Sequence, residues 1–126
     1  MKHCLKIFAF ILALSNITAQ ESQTTLAILD FEGRGINSLE AATLTDRFTS
    51  EIGKTETMTL VDRTMVEEIL KEQGFQQSGC TTDECAVEVG AMLGVQFMIS
   101  GAIGKLGDTF TIDAKMVSVE SGASVE

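Results

Sequence analysis

TLVDRTMVEEILKEQGFQQSGC, residues 59–80, joins a predicted strand, a predicted helix and a cysteine in one segment. The apolar run from Met58 to Val61 is typical of a strand buried on both faces. Thr64 followed by Glu67 has the form of a capping box, which predicts that a helix begins there. Gly74 predicts its end, because glycine tolerates the left-handed conformation that closes a helix. The buried stripe of this helix consists of Val66, Ile69 and Leu70.

A strand and a helix are also predicted before this segment. Thr25 to Phe31 is a mostly apolar run, the pattern of a central strand in a parallel or mixed sheet. Asn37 and Glu40 form another capping box, and Gly53 ends the helix that they open. Its buried stripe consists of Ala41, Leu44, Phe48 and Ile52. The segment therefore completes a strand-helix-strand unit.

A third helix and an antiparallel hairpin are predicted after Cys80. Thr81 and Glu84 form a capping box, and Gly94 ends the helix. Residues 95–103 read as a strand, and Phe110 to Met116 alternate apolar and polar residues, as a half-buried strand does. We therefore predict a single α/β domain with a mixed sheet of four to five strands and three helices, over residues 25–126. Residues 123–126 are either a very short last strand or a sign that this sequence is a fragment.

The amino terminus has the pattern of a secretory signal. Lys2 and Lys6 precede an apolar run from Ile7 to Leu14, and Ile17-Thr18-Ala19 is a small-residue cleavage site. We predict cleavage after Ala19 and a periplasmic protein. A lipid anchor is not expected, because the only early cysteine, Cys4, precedes the apolar run.

Charge and composition exclude several functions. The 126 residues carry a formal net charge of −9 and no cluster of Lys or Arg, which argues against binding to nucleic acid. The only histidine, His3, lies in the predicted signal, so the exported chain has no histidine for nucleophile activation or zinc binding. We predict no enzymatic activity, no cofactor and no metal.

The residues that follow the predicted strands leave one alternative open. Gly33 and Gly35 resemble the start of a dinucleotide fingerprint, but its third glycine is missing and Ser38 stands there. Asp30, Glu32, Asp62 and Arg63 are the strand-end residues that a small-ligand or nucleotide site would use. The ordinary reading is a flexible glycine turn, with acids that cap helices or pair with arginine.

The two later cysteines are predicted to form a disulfide. With Thr81 as the cap, Cys80 and Cys85 occupy the two positions that touch in a hydrophobic staple. Export favours their oxidation. A reduced pair or a soft metal site is the alternative, although two thiolates make an incomplete site.

The loop after the second helix is the candidate interaction site. Phe75 either closes the hydrophobic end of that helix or, together with Gln76 and Gln77, contacts a partner. Aromatic residues are enriched in interfaces, which is the reason for the second reading.

Three segments carry a resemblance to a known family: LAILDFE at residues 26–32, VDRTMVEEILKEQGFQQSG at 61–79 and LGVQFMISG at 93–101. The chain resembles the curli-assembly (CsgG-like) family of bacterial envelope proteins. Its order of elements is also close to TolB amino-terminal domains and to lipoprotein activators of penicillin-binding proteins.

The resemblance implies an α/β periplasmic domain from Leu26 to Val119 with an assembly, scaffolding or secretion-associated role. The chain lacks the lipidated start and the long amphipathic hairpins that a secretion channel of that family needs, and no catalytic residue is implied. The expected partners are envelope or outer-membrane proteins, and a homo-oligomer is left open.

Overall fold

The computed structural model describes residues 22–75 and 80–125. These residues form three helices: α1 (Ser38–Lys54), α2 (Arg63–Glu72) and α3 (Asp83–Leu93). Their strands are β1 (Thr25–Ile28), β2 (Glu32–Arg34), β3 (Thr59–Leu60), β4 (Phe97–Leu106), β5 (Thr109–Ser118) and β6 (Ser124–Val125). The predicted α/β domain with a mixed sheet and three helices is confirmed.

The strands form one sheet in the order β3-β1-β4-β5-β6, and β2 pairs with another part of β4. β1 lies inside the sheet, parallel to β3 on one side and to β4 on the other, although β4 and not β1 is its middle strand. β4 and β5 form the predicted antiparallel hairpin. β6 pairs with only two residues of β5, Met116 and Val117.

Successive residues of β1 point to opposite faces of the sheet, and each face has its own core. Leu26 and Ile28 lie in a core that includes the α1 side chains Leu44, Phe48 and Ile52. The other core contains Ala27 and Leu29 with side chains of both remaining helices, among them Val66, Leu70, Ala86 and Val89. The domain therefore has three layers, with α1 on one face of the sheet and α2 and α3 on the other.

The cap of α1 is confirmed, whereas the other two helices begin elsewhere than predicted. Asn37 accepts a hydrogen bond from the amide of Glu40, whose carboxylate accepts one from the amide of Asn37. α2 begins at Arg63, because Asp62 accepts from the amide of Thr64 and so caps the helix before Thr64 can. α3 is capped by Thr82 rather than Thr81, through its hydroxyl and the amide of Cys85.

The glycine end of α2 has the predicted geometry. Gly74 is left-handed, with φ of 74°, and the amide of Phe75 donates to the carbonyl of Leu70 at 2.8 Å. A bond of this span after a left-handed glycine is the Schellman motif, which is commonly accompanied by an apolar contact of the residue after the glycine. Phe75 accordingly packs against the core beneath α2 and α3.

Candidate functional site

Of the four strand-end residues proposed for a ligand, Asp30 and Arg63 do meet. The Arg63 guanidinium donates to the carboxylates of Asp30 and Asp46, and a third carboxylate, Glu67, lies 3.7 Å away. The side chains of Arg63 and Asp30 are only 21% and 13% exposed. The cluster joins the end of β1 to α1 and α2.

Burial raises the pKa of Asp30 above its usual value, and the positive charge of Arg63 opposes that rise. A raised carboxyl pKa can indicate a functional site, but such a site also needs room for a ligand. The cavity beside Asp30 and Arg63 holds only about 10 Å³, which is roughly what one water molecule requires. The pair therefore serves to hold three elements together.

The other residues of the proposed ligand site have separate structural roles. Asp62 caps α2, and the hydrogen bonds that it accepts from Thr64 lower its pKa. Glu32 lies in β2, beside Arg34 at 3.5 Å. Among the described residues no group of three His, Cys, Asp or Glu side chains is placed to hold a metal ion.

The prediction of a flexible turn at Gly33 and Gly35 was wrong for Gly33. That residue belongs to β2, and its register partner in β4 is Ile103. A Cβ atom at this position would lie 3.1 Å from Ile36 and 3.3 Å from Ala41, so close packing explains the glycine. Gly35 alone, with φ of 73°, makes the turn. Gly33 therefore lies in a strand of the sheet and not in a glycine loop.

The candidate interaction loop lies partly outside the described residues. Phe75 is half-buried in the helix end described above, which fits the structural reading of this residue. Gln76 and Gln77 lie outside the described residues, so their role as contacts stays a prediction.

Cys80 and Cys85 are joined as a disulfide in the structure, with their Cα atoms 5.5 Å apart. The shift of the α3 cap from Thr81 to Thr82 places Cys80 two residues before the cap instead of one. Both side chains are buried in the core beneath α2 and α3. The disulfide therefore ties Cys80 to the first turn of α3.

We expect thiol labelling of the unfolded, unreduced exported protein to find no free cysteine. An exported chain cleaved after Ala19 retains only Cys80 and Cys85, so labelling reports on this pair alone. Labelling after reduction should modify two sites and is the control. Two labelled cysteines without reduction would contradict the pairing.

A surface that sequence reasoning missed lies between the beginning of α1 and β5. It is a cleft of about 350 Å³ lined by Leu39, Glu40, Thr43, Leu44 and Phe110. Leu39 is 75% exposed and Phe110 is 52% exposed, so two large apolar side chains face water here. Exposed apolar surface of this kind, next to polar groups, marks interaction sites. We call it the α1/β5 cleft.

The apolar side chains of β5, the strand beside this cleft, are more exposed than its sequence predicts. β5 keeps an uninterrupted register with β4, from Phe97 opposite Ser118 to Leu106 opposite Thr109. The alternation of Phe110, Ile112 and Ala114 predicts a half-buried strand, yet all three side chains are exposed. Only its last residues reach the cores, where Val117 is fully buried.

The fold is shared with solved envelope proteins. The carboxy-terminal domain of LpoB from Escherichia coli matches with a TM-score of 0.68 and 16% identity, over 96% of this chain and 88% of that one. The same domain from Salmonella enterica matches with a TM-score of 0.65 and 14% identity, over the same shares of the two chains. Lipoprotein GNA1162 from Neisseria meningitidis gives 0.66 and 12%, over 82% and 75%. At such identities the matches show the fold alone.

No curated protein sequence matches this chain. A family model does match, that of the peptidoglycan-synthase activator LpoB, over residues 9–125. The assignment to the curli-assembly family was therefore wrong. The structural matches to LpoB domains show that the quoted segments belong to a fold that LpoB also has, so these segments do not identify the curli-assembly family. The model spans nearly the whole sequence, and the chain belongs to the LpoB family of peptidoglycan-synthase activators.

Proposed function

We propose that this protein activates a peptidoglycan synthase of the bacterial envelope by direct contact and has no catalytic activity of its own. The observation that carries the proposal is the match to the peptidoglycan-synthase activator model over residues 9–125. The partner is then an envelope protein, in line with the partner class expected from the sequence.

The described residues support a role in contact rather than in chemistry. The raised pKa of Asp30 belongs to a carboxyl held against Arg63 in a nearly filled space. The roomier α1/β5 cleft is lined mainly by apolar groups, which bind but do not catalyse. These features are those of a protein that presents a surface to another protein.

Activation is tested by adding the purified exported chain to each peptidoglycan synthase encoded in the same genome. Glycan polymerisation from the lipid-linked disaccharide-pentapeptide precursor is the measurement, and we expect a faster rate with at least one synthase. An acidic periplasmic protein of similar size and charge is the control. Unchanged rates with every synthase would contradict the proposal, and so would turnover of the precursor by this chain alone.

Export belongs to the same proposal. No helix in the described part of the chain is both long and apolar enough to cross a bilayer. The predicted cleavage after Ala19 and the expected absence of a lipid anchor concern residues 1–21, outside the described residues, and stay predictions.

We expect the protein recovered from the periplasm to have the intact mass of a chain that begins at Gln20. A mass that includes residues 1–19 would contradict cleavage, and added acyl mass would contradict the absence of a lipid anchor. Expression without residues 1–19, which should leave the protein in the cytoplasm, is the control.

A further inference from the structure

We propose that the face of β4 turned towards α2 and α3 binds a small zwitterion of dipeptide size, with its carboxylate beside Ser100 and its ammonium beside Ala102. The site is a trough of about 240 Å³, lined by residues of β2, β4 and β5 and of the start of α3. We call it the β4 trough. It goes beyond the proposed function, because contact with a synthase does not require a small ligand.

The β4 trough lies along the middle strand of the sheet, so both of its walls are strands. β2 pairs with β4 on one side, and β5 pairs with it on the other. Ser100 and Ala102 form the floor. Their side chains share a face with that of Met98, which packs in the core beneath α2 and α3, because side chains two residues apart on a strand point the same way. Thr81 and Asp83, at the start of α3, complete the lining.

The hydroxyl of Ser100 indicates that this trough takes a ligand. Ser100 is only 7% exposed, yet its hydroxyl has no hydrogen-bond partner within residues 22–75 and 80–125. No side-chain oxygen of the described residues is both sealed from solvent and unpaired, so this hydroxyl opens into the trough that Ser100 lines. Leaving a mostly buried polar group unpaired is costly. A ligand that bonds to Ser100 would remove this cost.

The register of the sheet places a row of groups that suit a carboxylate at one end of the trough. Lys115 is the register partner of Ser100, so both side chains lie on the same face. The start of α3 adds the positive end of a helix dipole. Lys115 pairs with Asp83, but both side chains are more than a third exposed, and exposed pairs contribute little to stability. A ligand carboxylate can therefore replace Asp83 at Lys115 and accept from Ser100.

The next row suits an ammonium group. Ala102 lies between Glu32 of β2 and Asp113 of β5, so a carboxylate stands on each side of a small residue. Glu32 has Arg34 as an exposed partner at 3.5 Å, whereas Asp113 has no ion-pair partner in the part of the chain that the structure describes. An ammonium group has three donors, so it can bond to both carboxylates above Ala102.

The distance between the two rows determines the size of the ligand. Ser100 and Ala102 are two residues apart on a strand, a separation of about 7 Å. Two residues of extended peptide also span at most about 7 Å. A dipeptide therefore reaches one row with its ammonium and the other with its carboxylate. A single amino acid carries both charges on one carbon and is too short, and an ion of one sign satisfies only one row.

Glycylglycine is the probe, because it is achiral and tests the spacing of the two charges alone. The measurement is a titration of the nitrogen-labelled exported chain by NMR. The amides of Ser100, Ala102, Asp113 and Lys115 should shift with a Kd of about 1–10 mM, the affinity expected for so small a polar ligand. Glycine and triglycine, with their charges closer together and farther apart, should bind more weakly.

Two blocked dipeptides test the two rows separately. N-acetyl-glycylglycine lacks the ammonium, and glycylglycine amide lacks the carboxylate. Each should bind about tenfold more weakly than glycylglycine, the loss expected for one charged hydrogen bond.

Two substitutions test the same rows from the side of the protein. Ser100→Ala removes the hydroxyl, and Asp113→Asn removes one carboxylate charge; each should weaken binding by about fivefold to tenfold. Ser50→Ala, on the exposed surface of α1, and Asp108→Asn, in the turn before β5, make the same chemical changes outside the trough. Both controls should bind within about twofold of the unchanged protein. Thermal unfolding of all four variants checks that each is folded.

Several results would overturn this inference. They are the absence of shifts at the four amides, equal binding of glycylglycine and either blocked dipeptide, and unchanged binding by Ser100→Ala or Asp113→Asn. Activation of a synthase is measured without the dipeptide, so each of these results leaves the proposed function standing. A chain that binds glycylglycine as expected but activates no synthase would overturn the proposed function alone.

Discussion

Leu70→Ala is expected to lower the free energy of unfolding by about 2–5 kcal/mol, the range for truncating a buried leucine. Leu70 lies on α2, is only 2% exposed and packs in the core that α2 and α3 form with the sheet. Removing its side chain leaves a cavity between helix and sheet that rigid neighbours cannot fill. Urea unfolding of the exported chain, followed by circular dichroism, measures the change.

Met65→Ala is the control for this prediction, because Met65 lies on the same helix but is 54% exposed. Its effect should stay within about 0.5 kcal/mol, as for most surface substitutions. Leu60 and Ile69, which the sequence places in the core, are half-buried in the structure, so their truncation should cost less than that of Leu70. A Leu70→Ala variant as stable as the Met65→Ala variant would contradict the assignment of this core.

The elements of the fold could be predicted because their signals are local. The apolar run of β1, the Asn37 capping box and the glycine after α2 each act within a few residues, and all three are observed. The caps of α2 and α3 were misplaced, because Asp62 and Thr82 stand within two residues of the predicted caps and are equally able to accept a hydrogen bond. Which of two nearby residues caps a helix depends on the packing of that helix, and a short sequence pattern gives no information about packing.

The α1/β5 cleft could not be predicted because it depends on long-range placement. The alternation along β5 indicates an apolar face, but whether a helix covers that face depends on where α1 lies over the sheet. α1 covers the centre of the sheet through Leu44, Phe48 and Ile52, whereas Leu39 at its beginning and Phe110 on β5 remain exposed. The family was also misassigned, because the three quoted segments belong to a fold that LpoB also has, and a fold does not identify a family.

Arg63→Met is expected to lower the free energy of unfolding by about 2–3 kcal/mol, because it leaves the mostly buried carboxylate of Asp30 without its positive partner. This expected loss is smaller than the loss on breaking a fully buried ion pair, since both side chains retain some contact with water. Arg47→Met is the matched control. Arg47 pairs with Glu51 at 2.9 Å on the surface of α1, and exposed pairs of this kind contribute at most about 1 kcal/mol.

A double variant shows whether the loss comes from the uncompensated charge. In Asp30→Asn/Arg63→Met the carboxylate is gone as well. The free energy of unfolding of this double variant should therefore fall by less than the sum of the two single losses. We expect a coupling energy of about 1–2 kcal/mol, measured by urea unfolding of all four members of the cycle. Additive losses would show that Asp30 and Arg63 do not depend on each other.

The pH dependence of Arg63→Met provides a further check. Burial already raises the pKa of Asp30 above its ordinary value of 3.8, and loss of the opposing Arg63 charge should raise it further. The folded variant then takes up a proton at a higher pH than the unfolded chain does, so its stability relative to the unchanged protein should recover as pH falls towards 3.8 and be lost again as pH rises. A deficit that does not change with pH would contradict the role assigned to Asp30. A folded Asp30→Asn variant is expected to activate the synthase as the unchanged protein does, because Asp30 is paired with Arg63 beside a cavity of only about 10 Å³.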